Sequence, residues 1–144
     1  MDVATGNEMK QRPYVVLHVE DDGDLAASLA ALLRVEGFVP LTAADGPGAL
    51  ARVAHAAAPP DLLVMDLDLH SDMDGTDVAE ELCHAIGHVV PTIFLSGELA
   101  NAGLPWLPGA PLLFIAKPAD PEVLLKAIES FAVLGRFLTS HAQH

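Results

Sequence analysis

Basic residues are scarce in this chain. Lys and Arg together number 7 against 20 Asp and Glu in 144 residues, for a formal net charge of −13. Such a chain repels phosphate backbones and anionic headgroups, so neither nucleic acid nor a membrane surface is expected as the direct partner; a site holding a divalent cation suits it better. Cysteine is scarcer still. Cys83 is single, which excludes an internal disulfide and fits a reducing, cytoplasmic setting. No apolar run approaches the roughly 20 residues that span a bilayer. Residues 1–12 are mostly polar and lack a hydrophobic signal core, so they read as a flexible tail ahead of one domain at 13–144. There is no internal repeat and no low-complexity tract.

What is present is apolar patterning: 51% of the residues are hydrophobic, enough for a chain of this length to bury a real core. The centre of the pattern is the run 62–75. Four apolar residues lead into Asp66, and a loop dense in carboxylates follows. A buried parallel strand reads as such a continuous run, and ligands sit beyond the carboxyl ends of parallel strands.

The rest of the chain alternates in the same way. A short β-prone run at 14–19 ends in Glu20-Asp21-Asp22, and Asp22 or Asp24 can cap a helix carrying Leu25, Leu29, Leu32 and Leu33 at helical spacing. Gly37 suits the position just past its end. A second strand at 38–42 precedes a helix that opens at Asp45-Gly46-Pro47 and runs to about Ala57. After the central strand at 62–66 come a helix at 75–86, a strand at 89–95 running into Ser96-Gly97, and a strand at 112–116 running into Lys117-Pro118. Asp120, Pro121 and Glu122 form a clean start for a last helix bearing Leu124, Ile128, Phe131 and Leu138. Between Glu98 and Ala110, the residues Gly103, Pro105, Pro108 and Gly109 leave room for about one helical turn and an irregular loop carrying Trp106. Alternating strands and helices predict a parallel sheet covered on both faces.

Strand ends then carry the polar residues: Glu20-Asp21, Asp66, Ser96 and Lys117. With the switch point beside the first strand, they converge in one crevice. Two carboxylates about 4 Å apart repel by roughly 4 kcal/mol at an effective dielectric near 20, so the cluster must raise a pKa or bind a cation. Hard oxygen ligands favour Mg²⁺. An ionised Asp66 beside Mg²⁺ can attack phosphorus, while Lys117, the Ser96 hydroxyl and the Gly97 amide contact phosphoryl oxygens.

Glu20-Asp21, Asp66, Ser96 and Lys117-Pro118, in this order and each at a strand end, resemble the receiver domain of two-component response regulators, over residues 13–138. The resemblance implies a flavodoxin-like α/β fold, five parallel strands in order 2-1-3-4-5 and five helices, the fourth of them shortened here. It implies phosphoryl transfer to Asp66 from a histidine kinase or histidine phosphotransfer protein. Magnesium would be held by the Asp21 and Asp66 side chains and the Asp68 carbonyl, with Glu20 nearby through water. Ser96 and Phe114 take the switch positions. Three departures stand out: His70 in place of the usual loop proline in a loop one residue longer, Phe114 in place of tyrosine, and the Pro-rich stretch at 103–111.

The expectation is a stand-alone signalling switch rather than an enzyme, with a protein as its downstream target and a last helix that permits a dimer. The positions of Asp68 and Glu98 flank the path of an attacking water. Asp66-Leu67-Asp68 also resembles the first motif of haloacid dehalogenase-type phosphatases, with Asp66 as nucleophile and Asp68 as acid. That family needs a further acid pair beyond the lysine, where Asp120 and Glu122 are spent on a helix start. His84 and His88 read as an exposed helical face. The His70–Gly75 stretch lacks the leading acid of an EF-hand loop.

Overall fold

The computed structural model describes residues 12–69, 74–97 and 111–142. Five strands, β1 (Val15–Val19), β2 (Val39–Ala43), β3 (Leu62–Asp66), β4 (Thr92–Ser96) and β5 (Leu112–Ala116), alternate with helices α1 (Gly23–Val35), α2 (Gly46–His55), α3 (Gly75–Ile86) and α4 (Pro121–Ala142). The strands form one parallel sheet in the order β2-β1-β3-β4-β5. This is the flavodoxin-like order expected from the sequence. The short helix expected between β4 and β5 falls outside the described residues, as do Trp106, Glu98 and His70.

Alternation along each strand divides the core in two. Val16, Leu62, Val64, Ile93 and Leu95 pack against Leu29 and Leu33 of α1 and Leu124, Ile128 and Ala132 of α4. Leu17, Val19, Leu63, Met65 and Phe94 pack against Ala49 of α2 and Val78, Ala79 and Leu82 of α3. The central strands β1, β3 and β4 are buried along their whole length, which is why they read as unbroken apolar runs.

Local signals set the helix boundaries. The Asp22 side chain accepts from the amides of Asp24 and Leu25, Asp45 caps α2 through Gly48, and Asp74 caps α3 through Thr76 and Asp77. Gly37 adopts φ +91° just past α1, a left-handed conformation that a side chain would penalise. Asp120 accepts from the amide of Glu122 at 2.9 Å at the start of α4.

Three boundaries differ from the sequence reading by two residues or more. β4 begins at Thr92 rather than 89, because Pro91 lacks an amide proton for the ladder. α2 stops at His55, two residues short of the expected end and ahead of Pro59-Pro60. α4 continues past Leu138 to Ala142, since no glycine or proline interrupts it there.

Candidate functional site

β1 connects towards β2 on one side, and β3 towards β4 on the other. The loops after β1 and β3 therefore diverge and leave a crevice at the carboxyl rim between them. Glu20, Asp21 and Asp66 meet there, each offering an oxygen within 4.8 Å of the others, the one such acid or histidine group among the described residues. Asp66 and Glu20 are buried, at 1% and 4% exposure, while Asp21 is exposed.

Lys117 closes the rim from β5. Its Nζ lies 2.9 Å from Asp66 Oδ1 and 3.6 Å from Glu20 Oε1. The Lys117 amide donates to the Ser96 carbonyl at 2.8 Å, so pairing with β4 fixes the root of the side chain. Ser96 is itself buried at the end of β4, and the peptide between Lys117 and Pro118 is cis.

Asp68 stands in the loop after β3. Its amide donates to Asp66 Oδ1 at 2.8 Å, and its Oδ2 accepts from the Gly97 amide at 3.0 Å. One residue thus ties the β3 loop to the β4 loop. Sequence reasoning assigned Asp68 a backbone carbonyl role and missed this side-chain bond, which no local pattern announces. Gly75 packs beneath the same loop, where a Cβ would sit 2.5 Å from the Asp66 carbonyl oxygen.

Three acids against one lysine leave an excess of negative charge. Burial, followed by the charge of Asp66, pushes the Glu20 carboxyl up to about 7, although the Asp22 amide opposes this. For Lys117, burial disfavours the charged form, but the hydrogen bond and charge of Asp66, helped by Glu20 and Asp68, outweigh it and raise the ammonium above its ordinary value. Two unit charges within 4.8 Å of each other at an effective dielectric near 20 interact by roughly 3 kcal/mol or more. A divalent cation with a preference for oxygen ligands matches both the donor set and the charge imbalance.

All five residues predicted at strand ends reach this rim. Phe114 does not: it is half-buried on the opposite face of the sheet, stacked on Phe94 with centroids 5.3 Å apart. His84 is exposed, and the His88 ring bonds to the Val89 carbonyl, so the two form no metal group. His18 was not singled out from the sequence, yet its ring is buried beneath the rim and burial lowers its pKa to about 4. The signal was present as one polar residue in the apolar strand VVLHV.

Comparison with known proteins agrees with this geometry. The family model of the response regulator receiver domain matches residues 16–129. DNA-binding response regulator MtrA of Mycobacterium leprae is 33% identical over 123 residues, 85% of this chain and 51% of that protein. Sensory transduction protein RegX3 of Mycobacterium tuberculosis is 49% identical over 67 residues, 46% of this chain and 28% of that protein. The chain thus spans about half or less of the curated relatives it matches. Among solved structures, chemotaxis protein CheY4 of Vibrio cholerae superposes with a TM-score of 0.66 at 25% identity, covering 83% of this chain and 98% of that one. Rim, sheet order and sequence match agree, and the chain belongs to the response regulator receiver domain family.

Proposed function

We propose that this protein is a phosphoacceptor switch whose chemistry is carried by Asp66. An Asp66 carboxylate oxygen attacks the phosphorus of a phosphohistidine on a histidine kinase or phosphotransfer protein. A P–O bond forms, the P–N bond breaks, and the imidazole leaves with the electron pair and takes up a proton. The observation that carries this reading is Lys117 Nζ, 2.9 Å from Asp66 and 3.6 Å from Glu20. It is a fixed cation able to follow a phosphoryl oxygen once one is attached to Asp66.

Magnesium is the expected cofactor, held by the Asp21 and Asp66 side chains and the Asp68 carbonyl, with Glu20 nearby. When bound it supplies charge that offsets the acids and the incoming phosphoryl oxygens. The Ser96 hydroxyl and the Gly97 amide complete the set of donors. Because the Gly97 amide now serves the Asp68 carboxylate, Asp68 must release it before a phosphoryl oxygen can take its place.

Phosphorylation adds about −1.5 to −2 charges at the rim. In this reading Ser96 and Phe114 pass the change to the surface around β5 and α4, which engages another protein in the cytoplasm. MtrA is by its name a DNA-binding regulator; this chain matches about half of it, so only the receiver role is carried over. A phosphatase using Asp68 as acid is disfavoured, because the acids grouped with Asp66 come from the end of β1, Glu20 and Asp21, and not from beyond Lys117.

The test is mass spectrometry after incubation with acetyl phosphate and Mg²⁺. Wild type should gain one phosphoryl group, and Asp66→Asn none. A gain that survives Asp66→Asn overturns the assignment, and sustained turnover of an aryl phosphate would favour the phosphatase.

A further inference from the structure

A cavity of about 450 Å³ lies between α1 and α4 on the sheet face opposite α2 and α3, lined mainly by Leu25, Leu95, Ala119 and Leu124, with His18, Glu20 and Lys117 as its polar side chains. Of its lining, Leu25 is 50% exposed. His18 is only 2% exposed, and among the described residues neither of its ring nitrogens has a hydrogen-bond partner. Buried polar atoms nearly always have partners, and each exception asks for an explanation. Its neighbours supply none: Val16 and Val64 on its own strand and on β3 are apolar, and Thr42, opposite it on β2, makes no hydrogen bond to the ring.

From this we infer that the cavity is a binding site for a small, mostly apolar molecule carrying one hydroxyl group. The volume lies within the roughly 300–1,000 Å³ range of small-molecule sites, which are mostly apolar with a few placed polar groups. A neutral imidazole presents one donor and one acceptor, and a hydroxyl group answers either. The ring is 2% exposed, so a macromolecular surface laid across the two helices would not reach it. The cavity shares Glu20 and Lys117 with the rim, but its occupancy needs neither Mg²⁺ nor a phosphoryl group and is read in the absence of both.

Phenol and toluene, alike in shape but for the hydroxyl, are suitable probes, added to the full chain in metal-free buffer and followed by heteronuclear NMR. Phenol should bind saturably with a Kd on the order of 1 mM, shifting the His18 ring together with Leu95, Ala119 and Leu124. Toluene should bind roughly fivefold more weakly, because it leaves the imidazole unpaired. His18→Leu should erase the preference for phenol. Ala119→Phe, which fills the cavity from a half-buried loop, should abolish the shifts should His18→Leu fail to fold. Absence of saturation, equal binding of the two probes to wild type, or shifts that survive Ala119→Phe would overturn the proposal and leave a cavity holding water only.

Discussion

Asp61 and Asp66 bracket β3, one immediately before its first residue and one at its last, and each lies against a cation. At the base, Arg136 of α4 grips both oxygens of Asp61, Nε to Oδ1 at 2.9 Å and a terminal nitrogen to Oδ2 at 3.0 Å. Asp61 Oδ2 also accepts from the Val15 amide at 2.8 Å. Arg136 further donates to the carbonyls of Arg12 and Pro13 and lies 4.6 Å over the Tyr14 ring. Charge is balanced there and nearly every donor is used. At the rim, one lysine faces three carboxylates, and the balance is left open. Even the glycines correspond: a Cβ on Gly135 would clash with the Asp61 carbonyl oxygen, and one on Gly75 would sit 2.5 Å from that of Asp66. The same strand thus ends in a closed structural clamp on one side and an unsatisfied site on the other. A buried pair with matched, bidentate geometry fixes the fold, whereas excess like charge invites a ligand.

The largest effect expected from this contrast is at the base. Arg136→Ala strands the buried Asp61 carboxylate and should cost about 3 to 5 kcal/mol in urea unfolding. A loss below about 1 kcal/mol would place the clamp among ordinary surface pairs.

Acid sensitivity separates the two ends next. Burial, opposed by Asp66 and reinforced by Lys117, holds His18 near 4 against the ordinary 6.5. The unfolded ring takes a proton below 6.5 that the folded ring refuses until about 4. This contribution to stability is therefore complete above pH 6.5 and lost as pH falls to about 4, amounting to roughly 3 kcal/mol. In metal-free buffer, His18→Leu should remove that loss from the pH profile of the melting temperature. Parallel profiles for variant and wild type would show that the ring titrates normally.

The smallest stability effect is expected at Asp66 itself. Asp66→Asn breaks the bond to Lys117 but relieves repulsion with Glu20, and Lys117, with its side chain 24% exposed, regains water. The net change in metal-free buffer should stay within about 1 kcal/mol. Mg²⁺ should raise the melting temperature of wild type and not of the variant, by mass action on the folded state. A loss comparable to that of Arg136→Ala would make the rim a structural clamp as well.

Much of the rim is legible in the sequence, because strand ends are punctuated by composition. Asp66, Ser96 and Lys117 each end an apolar run, and β3, β5 and α3 fall on their expected residues. What was not legible has a common cause. Arg136 and Asp61 are 75 residues apart, Asp68 and Gly97 are 29 apart, and neither pair leaves a periodic trace.

Sequence alone determined the order of elements, the faces of the helices and which polar residues stand at the carboxyl rim. All three follow from hydrophobic period, capping chemistry and the direction of parallel strands, which are local properties. Only the tertiary structure decided how charge is distributed between the two ends of β3, and that the His18 ring is enclosed without a protein partner among the described residues. Electrostatics and cavity shape depend on distances between residues remote in the chain, and those distances exist only once the sheet is covered on both sides.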